Sequence, residues 1–276
     1  MLVFHTHCQM SNQMFMYACA YNTAKINDTD YCLSDISALK YFKLNENEKF
    51  RNKVKYISFR FLNLLKHNYK FLHLQDNFKD YTNELKNSSH NTWFYGYFQG
   101  EQYFKESRNE IRKKFEIKDK YKNEYINWLN YANINKTLVA VHLRIKDYKE
   151  FDIKELDGPD LSLPFSYYKK ALKEYINNNN YSIVFLSDDI ETVEKEFSYI
   201  SNAVFSKNNA IVDFQILNNA EVLILANSSF SWWGAWLNNN NNKKVIVPEY
   251  FLGFKIKRQY PVNIIPENWI QIDVYE

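Results

Sequence analysis

Two short segments hold the side chains best suited to chemistry. The first runs Val139-Ala140-Val141-His142-Leu143-Arg144-Ile145-Lys146-Asp147-Tyr148, an apolar run that ends in a histidine, an arginine and an aspartate. An arginine offers a rigid fork of donors that matches a diphosphate. If Val139 to Leu143 is a strand, alternation sends His142 and Arg144 to one face. The plainer reading is an Arg144–Asp147 ion pair that ties down a loop. The second segment follows the apolar run Val222 to Leu225 and reads Ala226-Asn227-Ser228-Ser229-Phe230-Ser231-Trp232-Trp233-Gly234-Ala235-Trp236-Leu237. Ser228 or Ser229 can cap a helix there, leaving backbone N–H groups for an anion such as the diphosphate of a nucleotide sugar. The plainer reading here is a capped core helix with its tryptophans packed inward.

The elements that must position these groups are legible mainly in the second half. Strands are expected at Thr137 to Leu143, Ser182 to Leu186, Ala203 to Phe205, Glu221 to Leu225 and Lys244 to Val247. Helices are expected at Pro164 to Asn177, Ile190 to Phe197, Asp213 to Asn219 and Ser229 to Leu237. Such alternation implies right-handed crossovers and a parallel sheet with ligands beyond its carboxyl edge. Nearer the N-terminus, Leu2 to Phe4, Tyr31 to Leu33 and Trp93 to Phe98 read as strands, and Asn12 to Lys25 as a helix. Two more helices are expected near 101–115 and 119–131, while 39–90 shows no clear period. The linker-like Asn133-Ile134-Asn135-Lys136 suggests domains at 1–134 and 135–276.

Composition narrows the function. The 276 residues carry a net charge of only +3, with 35 basic residues scattered among 32 acidic ones, so no stripe for nucleic acid is visible. Lys255-Ile256-Lys257-Arg258 permits at most peripheral contact with a membrane surface. No signal peptide or membrane anchor is evident, and the odd cysteine count (Cys8, Cys19, Cys32) speaks against a disulfide framework, so a cytoplasmic setting is expected. Only five glycines occur, which excludes G-x-G-x-x-G and Walker loops. His5-Thr6-His7-Cys8 has metal-like composition but no evident fourth ligand, and Asp28-Thr29-Asp30 precedes its strand and reads as a turn. No metal site is expected. His5 and His7 follow the first strand and can face a cleft. Trp93, Tyr95 and Tyr97 suit a sugar platform or an ordinary core strand.

His142-Leu143-Arg144-Ile145-Lys146-Asp147-Tyr148 resembles the H-x-R-R-x-D-Y motif of α1,2-fucosyltransferases, and Ser228 to Leu237 matches that family's S-S-F-S-W-W-G-A-W-L without a change. Other pieces follow in the family's order: Asn12-Gln13-Met14-Phe15 with Tyr17-Ala18, Gly96-Tyr97-Phe98-Gln99, Leu163-Pro164 with Tyr167-Tyr168, Phe185 to Asp189, and Pro266 to Trp269. Two departures stand out. Cys8-Gln9 and Ser11 replace glycines, and Ile145 replaces the second arginine.

The resemblance implies a GT-B fold, two Rossmann-like α/β domains facing across a cleft. It implies an inverting enzyme that moves L-fucose from GDP-β-L-fucose to the 2-hydroxyl of a galactose-like residue of a glycan. No cofactor is implied beyond the donor substrate. Arg144 would stabilise charge on the departing GDP, helped by N–H groups around Ser228, Ser229 and Phe230. Asp188 would hold the ribose or guanine, or simply cap a helix. Asp213 would contact the base, or likewise serve as a cap. Asp147 is the candidate base, beside His142, and Asn12, Gln13, Trp93 and Tyr95 are expected on the acceptor side. A transferase for another GDP-sugar, or a silent glycan- or nucleotide-binding homologue, is the alternative.

Overall fold

The computed structural model describes residues 1–44, 46–64 and 69–275. The chain forms two compact α/β units, one of Met1–Lys118 with Pro261–Ile264 and the other of Asp119–Tyr260 with Ile265–Glu276.

The N-terminal unit is built on four parallel strands, β1 (Leu2–His5), β2 (Tyr31–Leu33), β3 (Lys70–His73) and β4 (Thr92–Tyr95), in the order β2-β1-β4-β3. Its helices are α1 (Met10–Ile26), α2 (Glu46–Leu64), α3 (Thr82–Lys86) and α4 (Arg108–Lys114). Leu2, Val3 and Phe4 are wholly buried, as a parallel strand covered on both faces must be. The chain adds β2 on one side of β1, crosses to the other side to lay down β3 at the edge, and then fills the place beside β1 with β4, so the crevice between β1 and β4 is a topological switch point. Neither α2 nor β3 was legible in the sequence. The helix expected over 101–115 is α4 alone, preceded by 3₁₀ turns at Glu101–Tyr103 and Lys105–Ser107.

The C-terminal unit opens with α5 (Asp119–Tyr131) and carries six parallel strands: β5 (Thr137–Leu143), β6 (Tyr181–Ser187), β7 (Ala203–Phe205), β8 (Val222–Ile224), β9 (Lys244–Pro248) and β10 (Ile270–Ile272). Between them run α6 (Lys146–Lys149), α7 (Phe165–Leu172), α8 (Ile190–Phe197), α9 (Ala210–Asn219) and α10 (Ser229–Leu237). The strand order β10-β9-β8-β5-β6-β7 reverses between β5 and β8. Leu143 pairs with Ser187 and Val141 with Ile224, so the loops after β5, β6 and β8 leave the sheet at neighbouring heights.

Two boundary expectations need correction. The division falls before α5, not after it, because α5 packs on α9: Gln215 donates to the Tyr121 carbonyl at 2.8 Å and Tyr125 is buried. Residues Pro261–Ile264 also belong to the first unit, where Val262 N–H donates to the Asn77 carbonyl at 2.8 Å. The helix expected at Pro164 to Asn177 is shorter, with Pro164 as its N-cap. No described helix is long and apolar enough to cross a membrane.

Candidate active site

The β5/β8 switch point gathers the two segments singled out in the sequence. Strand alternation continues past the end of β5. Val139, Val141, Leu143 and Ile145 enter one buried cluster, while Arg144 lies half-buried beyond the strand. Asp188, at the end of β6, uses both oxygens to shape this loop. It accepts from Ile145 N–H at 2.7 Å and from Asp147 N–H at 3.1 Å. Its Oδ2 also lies 3.5 Å from Arg144 Nε. Arg144 donates in addition to Asp147. One guanidinium is thus held by two carboxylates, a fixed cation at the carboxyl edge. Asp188 is no helix cap by side-chain bonding, since α8 has none at its N-cap, Asp189.

Across the switch point, Ser228 is the N-cap of α10 and its side chain accepts from Phe230 N–H at 3.4 Å. Ser229 and Phe230 begin the helix and are partly exposed. The loop before them is anchored: Tyr148 donates to the Asn227 carbonyl at 3.0 Å, Asn227 donates to the Leu161 carbonyl at 2.9 Å, and Tyr167 donates to the Leu225 carbonyl at 2.9 Å. None of these three donors is among the site residues expected from the sequence, although Tyr148 and Tyr167 lie inside matched motifs. The plainer reading of the tryptophans holds, since Trp232, Trp233 and Trp236 are core.

His142 is buried, and desolvation together with the Arg144 charge lowers its pKa to about 3, so it is neutral at ordinary pH. Its ring lies 5.4 Å from that of Phe230, which also meets Phe214 at 5.5 Å. Its Nδ1 has no hydrogen-bond partner among the described residues. Asp213 sits in the first turn of α9 without capping it; Asn209 caps instead, accepting from Val212 N–H at 3.1 Å. Asp213 accepts from Ser206 Oγ at 2.5 Å, and burial raises its pKa to about 7.

In the other unit, the β1/β4 switch point presents a row of rings. His5 stacks on Tyr95 with centroids 5.0 Å apart, Tyr95 on His7 at 5.0 Å, and His7 meets Tyr97 edge-on at 4.6 Å. Burial lowers the pKa of both histidines. Trp93 turns away into the cluster of Val3, Cys32 and Phe59. Asn12 accepts from Gln99 at 2.9 Å, and Gln13 donates to the Cys8 carbonyl at 3.3 Å. Cys8 adopts φ +65°, where its glycine-bearing counterpart would be unstrained. Among the described residues no group of three or more His, Cys, Asp or Glu side chains is placed to hold a metal. Asp28-Thr29-Asp30 is the turn expected, with Asp28 at φ +45° and Asp30 paired to Lys55 at 2.7 Å.

The family model of glycosyl transferase family 11 matches residues 2–273. The chain belongs to glycosyltransferase family 11. Among curated relatives it is 29% identical over 195 residues to an α-1,2-colitosyltransferase of Escherichia coli, covering 65% of this chain and 62% of that protein. It is 27% identical over 297 residues to the O-antigen biosynthesis glycosyltransferase WbnK of Escherichia coli, covering 88% of this chain and 93% of that one. Among solved structures it resembles the fucosyltransferase NodZ from Bradyrhizobium with a TM-score of 0.54 at 9% identity, over 85% of this chain and 91% of that one. That likeness is one of fold, the GT-B fold. The family 11 chain described here is therefore a glycosyltransferase.

Proposed function

We propose that this family 11 enzyme transfers L-fucose, with inversion, from GDP-β-L-fucose to the 2-hydroxyl of a galactose-like residue during synthesis of a surface polysaccharide, in the cytoplasm. The observation that carries the proposal is the fixed Arg144 guanidinium and the open start of α10 on the same switch point. Breaking the sugar–phosphate bond places negative charge on the departing GDP. Arg144 and the N–H groups of Ser229 and Phe230 are assigned that charge, with no metal ion in the scheme. Preorganised donors of this kind each contribute about 3–4 kcal/mol to the transition state. Asp188 then acts through Arg144, holding its guanidinium. Asp213 takes the N–H edge of guanine, and Phe230 with His142 forms an apolar wall of the site. Asp147, the exposed carboxylate of the cluster, takes the proton of the acceptor hydroxyl once Arg144 turns to the diphosphate. The acceptor is assigned to Asn12, Gln13 and Tyr95, extended by His5, His7 and Tyr97, while Trp93 belongs to the core under α2. The WbnK relative supports an O-antigen-like product.

The test is GDP release from GDP-L-fucose with lactose as acceptor, comparing wild type with Arg144→Ala. Acceptor-dependent release that falls at least about 100-fold in the variant supports the reading. Tight GDP binding without release refutes fucosyl transfer to this acceptor. A second reading is favoured by the colitosyltransferase relative. Colitose is 3-deoxy-L-fucose, so GDP-colitose and GDP-fucose offered together report which donor the site prefers.

A further inference from the structure

Helix α2 buries one face and leaves an equally apolar one in water. Inward, Phe59 packs with Val3 and Cys32, joined by Tyr56 and Trp93. Asn52 pairs with both backbone groups of Leu33, at 2.8 and 3.0 Å. Glu48 accepts from Tyr17, Tyr31 and Lys114, and Lys55 pairs with Asp30. On the opposite side Phe50, Val54, Ile57 and Phe61 are 69%, 45%, 57% and 62% exposed. Their spacing of four, three and four residues lines them up in one stripe. Four large apolar side chains in a row are more than the scattered exposure a surface normally carries.

Charge selects what covers the stripe. Arg51, Lys53 and Arg60 are exposed on its flanks, and the sequence from Lys49 to Leu64 contains no acid. Of the described carboxylates at this helix, Glu48 is turned inward onto Tyr17, Tyr31 and Lys114, and Asp30 is paired to Lys55. A second copy seated on this stripe would bring the same cations face to face. A bilayer carrying anionic headgroups meets both features at once, taking the phenylalanines at the acyl boundary and the basic groups at the phosphates.

We propose that α2 is an interfacial helix that docks the enzyme on an anionic membrane surface. The local pattern carries this, since the whole chain is only +3. It holds whichever sugar is transferred, so its test is separate from any turnover assay.

The full chain is sedimented with vesicles of phosphatidylcholine alone, and with vesicles also containing phosphatidylglycerol. Two variants accompany it, Phe50→Ser with Phe61→Ser, and Lys53→Gln with Arg60→Gln. All four side chains are exposed, and unchanged thermal unfolding confirms that each variant folds. Wild type is expected to partition onto the anionic vesicles and to be weakened by salt. Each basic side chain removed lowers the partition coefficient about fivefold, and removal of the two phenylalanines lowers it at least about tenfold. The proposal is overturned if wild type stays in the supernatant with anionic vesicles at low salt, or if both variants bind as wild type does. It is equally overturned if the stripe instead mediates a dimer, seen by sedimentation velocity and lost in the phenylalanine variant, without vesicle binding.

Discussion

Asp213 is a carboxyl that folding holds protonated near neutrality, and removing its charge should stabilise the enzyme while weakening GDP. Its pKa is 3.8 in the unfolded chain and about 7 in the folded one, raised by burial and opposed by the Ser206 hydrogen bond. Below pH 3.8 both states are protonated and the group costs nothing. Between the two values the unfolded state has lost the proton that the folded state keeps, so stability falls as pH rises and levels off above pH 7. The gap, at about 1.4 kcal/mol per pH unit, gives a full loss of about 4 kcal/mol. Asp213→Asn retains an acceptor for Ser206 and removes the titration. Urea unfolding should show the variant gaining on wild type by about 2.5 kcal/mol between pH 5 and pH 7.5. GDP should respond in the opposite sense. If the guanine N–H edge donates to the carboxylate, wild-type affinity gains nearly tenfold per pH unit up to about pH 7, beyond any change seen in the variant. Calorimetric titration with GDP at each pH measures this. Parallel stability curves would refute the burial argument, and parallel GDP profiles would remove Asp213 from the base.

Three further substitutions probe the scaffold around the two switch points. Gly234→Ala places a Cβ 2.6 Å from Leu217 Cβ, where α10 meets α9, and should cost about 1–3 kcal/mol by thermal unfolding. Cys8→Gly removes a left-handed non-glycine residue at φ +65°; relief of about 1–2 kcal/mol, less glycine's entropy of about 0.5–1, should leave a small net gain in Tm. Asp188→Ala strands the Ile145 and Asp147 N–H groups and frees Arg144. It should cost about 2 kcal/mol in stability and lower kcat for GDP-sugar turnover toward that of Arg144→Ala.

The C-terminal unit was legible because its local and global signals agree. From β5 to β9 each apolar run is bounded by polar turns, and α5, α8 and α10 begin and end where their patterns do. The N-terminal unit was less so. α2 hid because Phe50, Val54, Ile57 and Phe61 outside match Tyr56 and Phe59 inside, which erases the one-sided period that marks a helix. β3 hid as a four-residue edge strand whose pattern, Lys70-Phe71-Leu72-His73, is mostly exposed. At the site, residue type and spacing revealed Arg144 and the start of α10. They did not reveal that Asp188 would be committed to backbone N–H groups, or that Asn209 would cap α9 and release Asp213. Those outcomes depend on which strands are neighbours, and sequence order places β6 and β8 on opposite sides of β5 without announcing it.

Ile145 shows how the same reasoning treats a departure from the family motif. An arginine at this position would begin on the core side of the strand, because alternation puts 139, 141, 143 and 145 together and leaves Arg144 on the other side. Here the isoleucine is only 5% exposed and shares a cluster with Leu143, Leu163 and Tyr168, while its N–H is fixed by Asp188. The surroundings have therefore closed over an apolar side chain. The exposed cation that remains in the loop is Lys146, 3.6 Å from Asp189. Ile145→Arg would not restore a missing donor contact; it would force a longer, charged group into a packed apolar site. The expected cost is at least about 3 kcal/mol from overpacking and desolvation, with turnover on GDP-fucose no higher than wild type. Thermal unfolding and the GDP-release assay read the two effects separately. A variant that unfolds at the wild-type temperature and turns over faster would show that position 145 still faces the donor, and would undo the assignment of the leaving-group charge to Arg144 and the start of α10 without a second cation.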